Sequence, residues 1–212
     1  MVKKLFWENP YTTQLTTHLR TVSGDKVTLE ETIFYAFSGG QERDTGTIAG
    51  KQVLDTQQDR LDIVYTLEPD HNLQTADEVI VTIDWQRRYK LMRLHFAAEI
   101  VLELAYQTLS GIEKIGAHIA EDKSRIDFLW PESITPHLQS LQTATNTLIQ
   151  NNLTIVSDFS DEQMQRRYWQ IDGFARVACG GTHPKSTGEV GFISLKRKNI
   201  GKSKERIEIT LV

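Results

Sequence analysis

Asp84-Trp85-Gln86-Arg87-Arg88-Tyr89-Lys90-Leu91-Met92-Arg93-Leu94-His95-Phe96-Ala97-Ala98-Glu99-Ile100 is where the chain changes character. Asp84 has the short acceptor side chain of a helix N-cap, and the segment from Trp85 to about Leu109 predicts one long helix stopped at Gly111. Leu91, Met92, Leu94, Phe96, Ile100 and Val101 leave it almost no polar side, as in a helix buried all round. On that apolar surface His95 and Glu99 stand four apart, one above the other on the same face. With Glu103 they could form a solvated stripe, but the apolar neighbours argue for burial, and a buried carboxylate needs a partner. Imidazole nitrogen and carboxylate oxygen are both zinc donors. The first turns carry Arg87, Arg88, Lys90 and Arg93, suited equally to phosphate contact and to solvated turns.

Before this helix the sequence reads as short strands. Gln14 to Val22 and Lys26 to Phe34 flank Ser23-Gly24-Asp25, and Thr47 to Leu54, Arg60 to Leu67 and Glu78 to Ile83 continue with β-branched residues. A β-rich, barrel-like subdomain over residues 1–84 is expected. Inside it, a strand through Phe34 ends at Gly39-Gly40-Gln41, a loop that is either a plain turn or one that brings backbone close to a ligand.

After the helix, strands and helices mix. Gly116 to Ala120 pairs with Arg125 to Trp130, Thr135-Pro136 starts a helix to about Asn151, and Leu153 to Ser157 is a strand. Ser160 with Gln163 has the form of a capping box before a short helix. Gly191 to Lys198 and Arg206 to Val212 close the chain as strands. No βαβ rhythm recurs, so the class is α+β, with residues 85–212 forming a mixed sheet with flanking helices.

Cys179-Gly180-Gly181-Thr182-His183 holds the only cysteine of 212 residues and a histidine four positions on. Its two glycines free the backbone to turn a sulfur and an imidazole toward one point. A buried structural cysteine in a turn is the plainer alternative. One cysteine cannot close an internal disulfide, which fits a reducing compartment. The opening Met1-Val2-Lys3-Lys4-Leu5-Phe6-Trp7-Glu8-Asn9-Pro10 meets an acid and a proline before an apolar region develops, and no run of 18 apolar residues occurs. A cytoplasmic protein without membrane contact is expected. Net charge is −4, so a polyanion would have to meet a local patch. Lys196 to Arg206 offers one, with six basic residues against one acid.

These pieces together resemble the free-standing AlaX-type editing proteins, which are related to the editing domains of alanyl- and threonyl-tRNA synthetases. The likeness runs in order through Phe34-Tyr35-Ala36-Phe37-Ser38-Gly39-Gly40-Gln41 with Asp44 and Gly46, Met92-Arg93-Leu94-His95, and Lys123-Ser124-Arg125-Ile126-Asp127-Phe128. It continues through Cys179 to His183 with Thr187-Gly188-Glu189, and Asn199-Ile200-Gly201-Lys202 with Arg206-Ile207.

The resemblance implies hydrolysis of the ester joining serine or glycine to alanine tRNA, with one zinc ion at His95, Glu99, Cys179 and His183. Glu99 departs from the family pattern, which has histidine there. Three outcomes are open: a ligating carboxylate in a site of lower charge, a three-ligand site with Glu99 as base, or a site that has lost its metal. The resemblance also implies a catalytic role for Gln41 and an amino-acid pocket of Thr32, Gly39, Gly40, Gln41 and Thr182. Lys196, Lys198, Lys202 and Arg206 would hold the acceptor stem of the tRNA. A non-catalytic module that binds tRNA or an amino acid is the alternative. Gly-Gly-Gln alone is also found in peptide-chain release factors, where it sits on an exposed tip.

Overall fold

A computed structural model describes all 212 residues. The strands before the long helix are β1 (Lys3–Lys4), β2 (Gln14–Ser23), β3 (Lys26–Leu29), β4 (Glu31–Thr32), β5 (Gly46–Ile48), β6 (Lys51–Asp59), β7 (Asp62–Leu67) and β8 (Glu78–Ile83). Then come α1 (Trp85–Thr108), β9 (Glu113–Ile119), β10 (Ser124–Leu129), α2 (Thr135–Gln150), β11 (Val156–Asp161), β12 (Arg166–Ile171), β13 (Ala175–Ala178), β14 (Ile193–Asn199) and β15 (Lys204–Leu211). The class is α+β. By contacts the chain divides into one unit of Met1–Ser38 with Glu42–Tyr89, and another of Gly39–Gln41 with Lys90–Val212.

The first unit holds a closed barrel in the order β2-β3-β7-β6-β5-β8, with β8 pairing back onto β2. Alternate residues such as Val27, Leu29, Ile63, Tyr65, Leu67, Val79 and Val81 fill its interior, which is the period-2 pattern closing on itself. Gly46 sits against the Thr82 carbonyl, where a β-carbon would overlap backbone.

One polar knot sets the loop that follows β4. Arg88 is fully buried and its guanidinium spreads over Asp44, the Ile33 carbonyl at 2.6 Å and the Pro10 carbonyl at 2.9 Å. Asp44 in turn accepts the Tyr35 amide at 2.6 Å. Each nitrogen of the fork has an acceptor, which is what makes a buried charge tolerable.

In the second unit α1 packs through Phe96, Ala97, Ile100, Val101 and Ala105 with Ile126, Phe128, Ile207 and Ile209 of a four-stranded sheet, order β14-β15-β10-β9. Asp84 caps α1 as expected, its carboxylate accepting the Arg87 amide at 3.1 Å. Gly111 at φ 78° follows its end. The 24 residues of α1 are not apolar enough to cross a membrane, and no other helix is.

Two details differ from expectation. The short helix after Ser160 is absent: β11 and β12 form a hairpin, with Val156 opposite Gln170 and Ser157 opposite Trp169. Ser160 Oγ donates to the Arg166 carbonyl across that hairpin at 3.2 Å instead of capping a helix, and Gln165 takes φ 52° in the turn. The capping box of this region lies later, at Ser186 and Glu189, on the one-turn helix Thr187–Val190. The basic residues at the start of α1 are engaged: Arg88 as above, Arg87 with Glu42 at 2.6 Å, Lys90 with Glu121 at 3.0 Å and Arg93 with the Val190 carbonyl at 2.8 Å.

Candidate metal centre

His95, on the buried stretch of α1, meets Cys179 and His183 from the turn after β13, and one donor atom from each lies within 4.8 Å of the other two. Cys179 Sγ is 3.5 Å from His95 Nε2 and 3.4 Å from His183 Nε2. The two rings stack at 5.2 Å, and Phe96 sets its ring edge-on against His183.

The remaining nitrogens are occupied. His183 Nδ1 lies 2.9 Å from Ser157 Oγ on β11, and His95 Nδ1 lies 3.4 Å from the Thr182 carbonyl. Each ring is therefore turned with Nε2 toward the sulfur, the arrangement that outer partners give to metal-binding histidines. Bond lengths to zinc place sulfur and nitrogen of a tetrahedral site about 3.6 Å apart. The spacing and the chemistry of this donor set both fit such an ion.

Glu99 stands beside these three. Its Oε1 is 3.5 Å from His95 Nε2, and its Oε2 accepts the indole N–H of Trp169 at 2.8 Å. Trp169 is fully buried on β12, between Phe96 and Phe174.

Charge is unevenly shared here. Burial opposes a proton on His95, but the charges of Cys179 and Glu99 outweigh it and raise the pKa to about 10. For Glu99, burial would raise the pKa, yet the bonds from His95 and Trp169 lower it to about 2. His183 is pushed well below the usual histidine range, first by burial and then by the charge of His95. In the metal-free protein the cluster thus holds one protonated imidazole, one carboxylate and one neutral imidazole ready to ligate.

Gln41 is 1 % exposed and donates from Nε2 to Thr182 Oγ1 at 3.0 Å, while its Oε1 is buried without a partner. Gly40 makes this placement possible. At φ 88° it lies so close to β9 that a β-carbon would come within 2.6 Å of the Ala117 carbonyl, and its own carbonyl accepts the Ile119 amide at 2.8 Å. Gly181 is equally constrained, since a β-carbon there would overlap the His95 ring and approach Gln41 Oε1. Gly39 has open space around it.

Thr32 belongs to the first unit, fully buried, with its hydroxyl 2.7 Å from Tyr65 Oη and accepting the Phe34 amide at 3.0 Å. Lys196, Lys198 and Lys202 are exposed on β14 and the tip that follows it. Arg206 on β15 is bound through two nitrogens to Asp127, at 2.6 and 2.9 Å. Ser157 and Trp169 escaped the reading of the sequence. Both lie on the misread hairpin, where alternation of buried Arg167, Trp169 and Ile171 was the available signal.

Fold and site together define a protein of the aminoacyl-tRNA synthetase editing class. Residues 4–87 match the family of class II (A) tRNA synthetases, and residues 169–208 match the second additional domain of threonyl and alanyl tRNA synthetases. The chain is 31% identical to an alanyl-tRNA editing protein AlaX-M of Pyrococcus horikoshii, over 100% of this chain and 98% of that one. It is likewise 31% identical to the AlaX-M protein of Methanosarcina barkeri, over the whole of both. Against an alanine–tRNA ligase of Methanococcus aeolicus the identity is 30%, over 97% of this chain but 25% of the ligase. The chain belongs to the AlaX-M family of alanyl-tRNA editing proteins.

Proposed function

We propose that this protein is a free-standing deacylase that hydrolyses the ester joining serine or glycine to alanine tRNA, using one zinc ion held by His95, Cys179 and His183. The observation that carries this reading is the convergence of two Nε2 atoms on one Sγ, at 3.4 and 3.5 Å, in a chain of this family.

Bound zinc would supply a Lewis acid at the ester carbonyl. The rest falls to the chain. Ser157 and the Thr182 carbonyl orient the two imidazoles. Gln41, anchored on Thr182, presents its unpartnered Oε1 as an acceptor for the substrate ammonium or the attacking water. Glu99, one oxygen tied to Trp169, keeps the other beside His95, where it can accept the proton of that water. An ester is activated compared with an amide, so these groups suffice without a covalent intermediate.

The test is release of amino acid from alanine tRNA charged with serine, glycine or alanine. Hydrolysis of the first two and sparing of the third is expected. Equal rates for all three would contradict the substrate assignment. No hydrolysis of any by zinc-loaded protein would leave a binding module in its place.

A further inference from the structure

We infer that the outward face of the four-stranded sheet is the surface on which this protein holds the phosphate backbone of its RNA, with Arg125 at its centre. This rests on the reading above that the substrate is an RNA ester.

Strand register builds the face. One row across the sheet runs His118, Arg125, Glu208, Lys196, and the next runs Gly116, Asp127, Arg206, Lys198. Side chains alternate along a strand, so both rows point away from the core side, where Ile126, Phe128, Ile207 and Ile209 are buried. Neither row contains an apolar side chain, whereas the centre of a protein–protein interface is depleted in charge.

The balance of charge decides the partner. Asp127 is gripped by Arg206 and Arg125, and Glu208 by Lys123 at 2.9 Å. Five cations, Lys123, Arg125, Lys196, Lys198 and Arg206, thus stand against two carboxylates, leaving three positive charges unbalanced in a chain of net charge −4. Lys196 and Lys198 are exposed. Arg125 is two strands from Lys196, about 10 Å, and Lys196 and Lys198 are about 7 Å apart along β14, so the patch is broad and flat.

Each edge is covered at one end. Asn146 and Gln142 of α2 bond the outer backbone of β14 at Ile193 and Leu195, and Gly40 bonds β9 at Ile119. Of the surfaces the sheet presents, the face is the one whose charge a polyanion backbone complements. Arg125 is invisible as a basic patch in the sequence because acids flank it in Glu121-Asp122-Lys123-Ser124-Arg125-Ile126-Asp127. Only register brings it into line with Lys196.

The experiment measures binding of uncharged alanine tRNA transcript to the full chain from about 50 to 200 mM KCl. Wild type is compared with Lys196→Gln/Lys198→Gln, with Arg125→Gln, and with a barrel control, Lys26→Gln/Lys51→Gln. The slope of log affinity against log salt should fall by about two for the lysine pair and about one for Arg125→Gln. Affinity at the lowest salt should drop about tenfold for the pair, and the control should match wild type. Wild-type slopes in both face variants would overturn the inference and leave the RNA reading standing. No tRNA binding by wild type would overturn both.

Discussion

His95 is the residue on which the site's chemistry turns. Without metal its pKa is raised from 6.5 to about 10 by Cys179 and Glu99 against the effect of burial. Its proton therefore stabilises the fold fully below pH 6.5, and that contribution is lost as pH rises through about 10. Glu99 runs the other way: lowered from 4.5 to about 2, it stabilises above 4.5 and ceases to as pH falls through about 2. An ion bound at Nε2 must displace the His95 proton. Titrating zinc into metal-free protein at pH 7 in weak buffer should release about one proton per ion from this residue, with apparent affinity rising as pH increases. Zinc uptake without proton release, or affinity flat between pH 7 and 9, would mean that His95 is not a ligand. The sequence pointed to His95 with Glu99 and to Cys179 with His183 because each pair sits at a local spacing that backbone geometry interprets. Ser157 and Trp169 stayed hidden, since their roles arise from a hairpin whose partner residues lie dozens of positions away.

At the scale of elements, the Arg88–Asp44 pair is what fixes the segment that follows β4, at Ile33 and Tyr35. It joins the start of α1 to the Tyr35 amide and the Ile33 carbonyl, so the loop's path depends on a side chain fully removed from water. Arg88→Met leaves Asp44 buried and short of its partner. A loss of about 3–5 kcal/mol in unfolding free energy is expected, read as a lower urea midpoint at unchanged slope. A midpoint within error of wild type would show that the pair contributes nothing to the fold. Asp84 as cap, the long helix and the strands of the barrel were legible because capping and period 2 are local signals. Arg88 read as one of four basic residues of undecided use, since sequence cannot distinguish a buried guanidinium from a solvated one. The β11–β12 hairpin was misread for a related reason: Ser160 and Gln163 have the right types for a cap, but cross-strand pairing of Trp169 with Ser157 and of Gln170 with Val156 outweighs a weak local preference.

For the whole molecule, a net charge of −4 conceals a sheet face of opposite sign, and a single cysteine among 212 residues falls within reach of two histidines. Both facts bear on one claim, that this chain removes a wrong amino acid from tRNA at a metal centre. The most direct measurement takes zinc content and serine release from serine-charged alanine tRNA on the same preparations of wild type and Cys179→Ala. The account predicts one zinc per wild-type chain with turnover, and loss of both in Cys179→Ala while the affinity for uncharged tRNA stays near that of wild type. Undiminished turnover in zinc-free Cys179→Ala would contradict it.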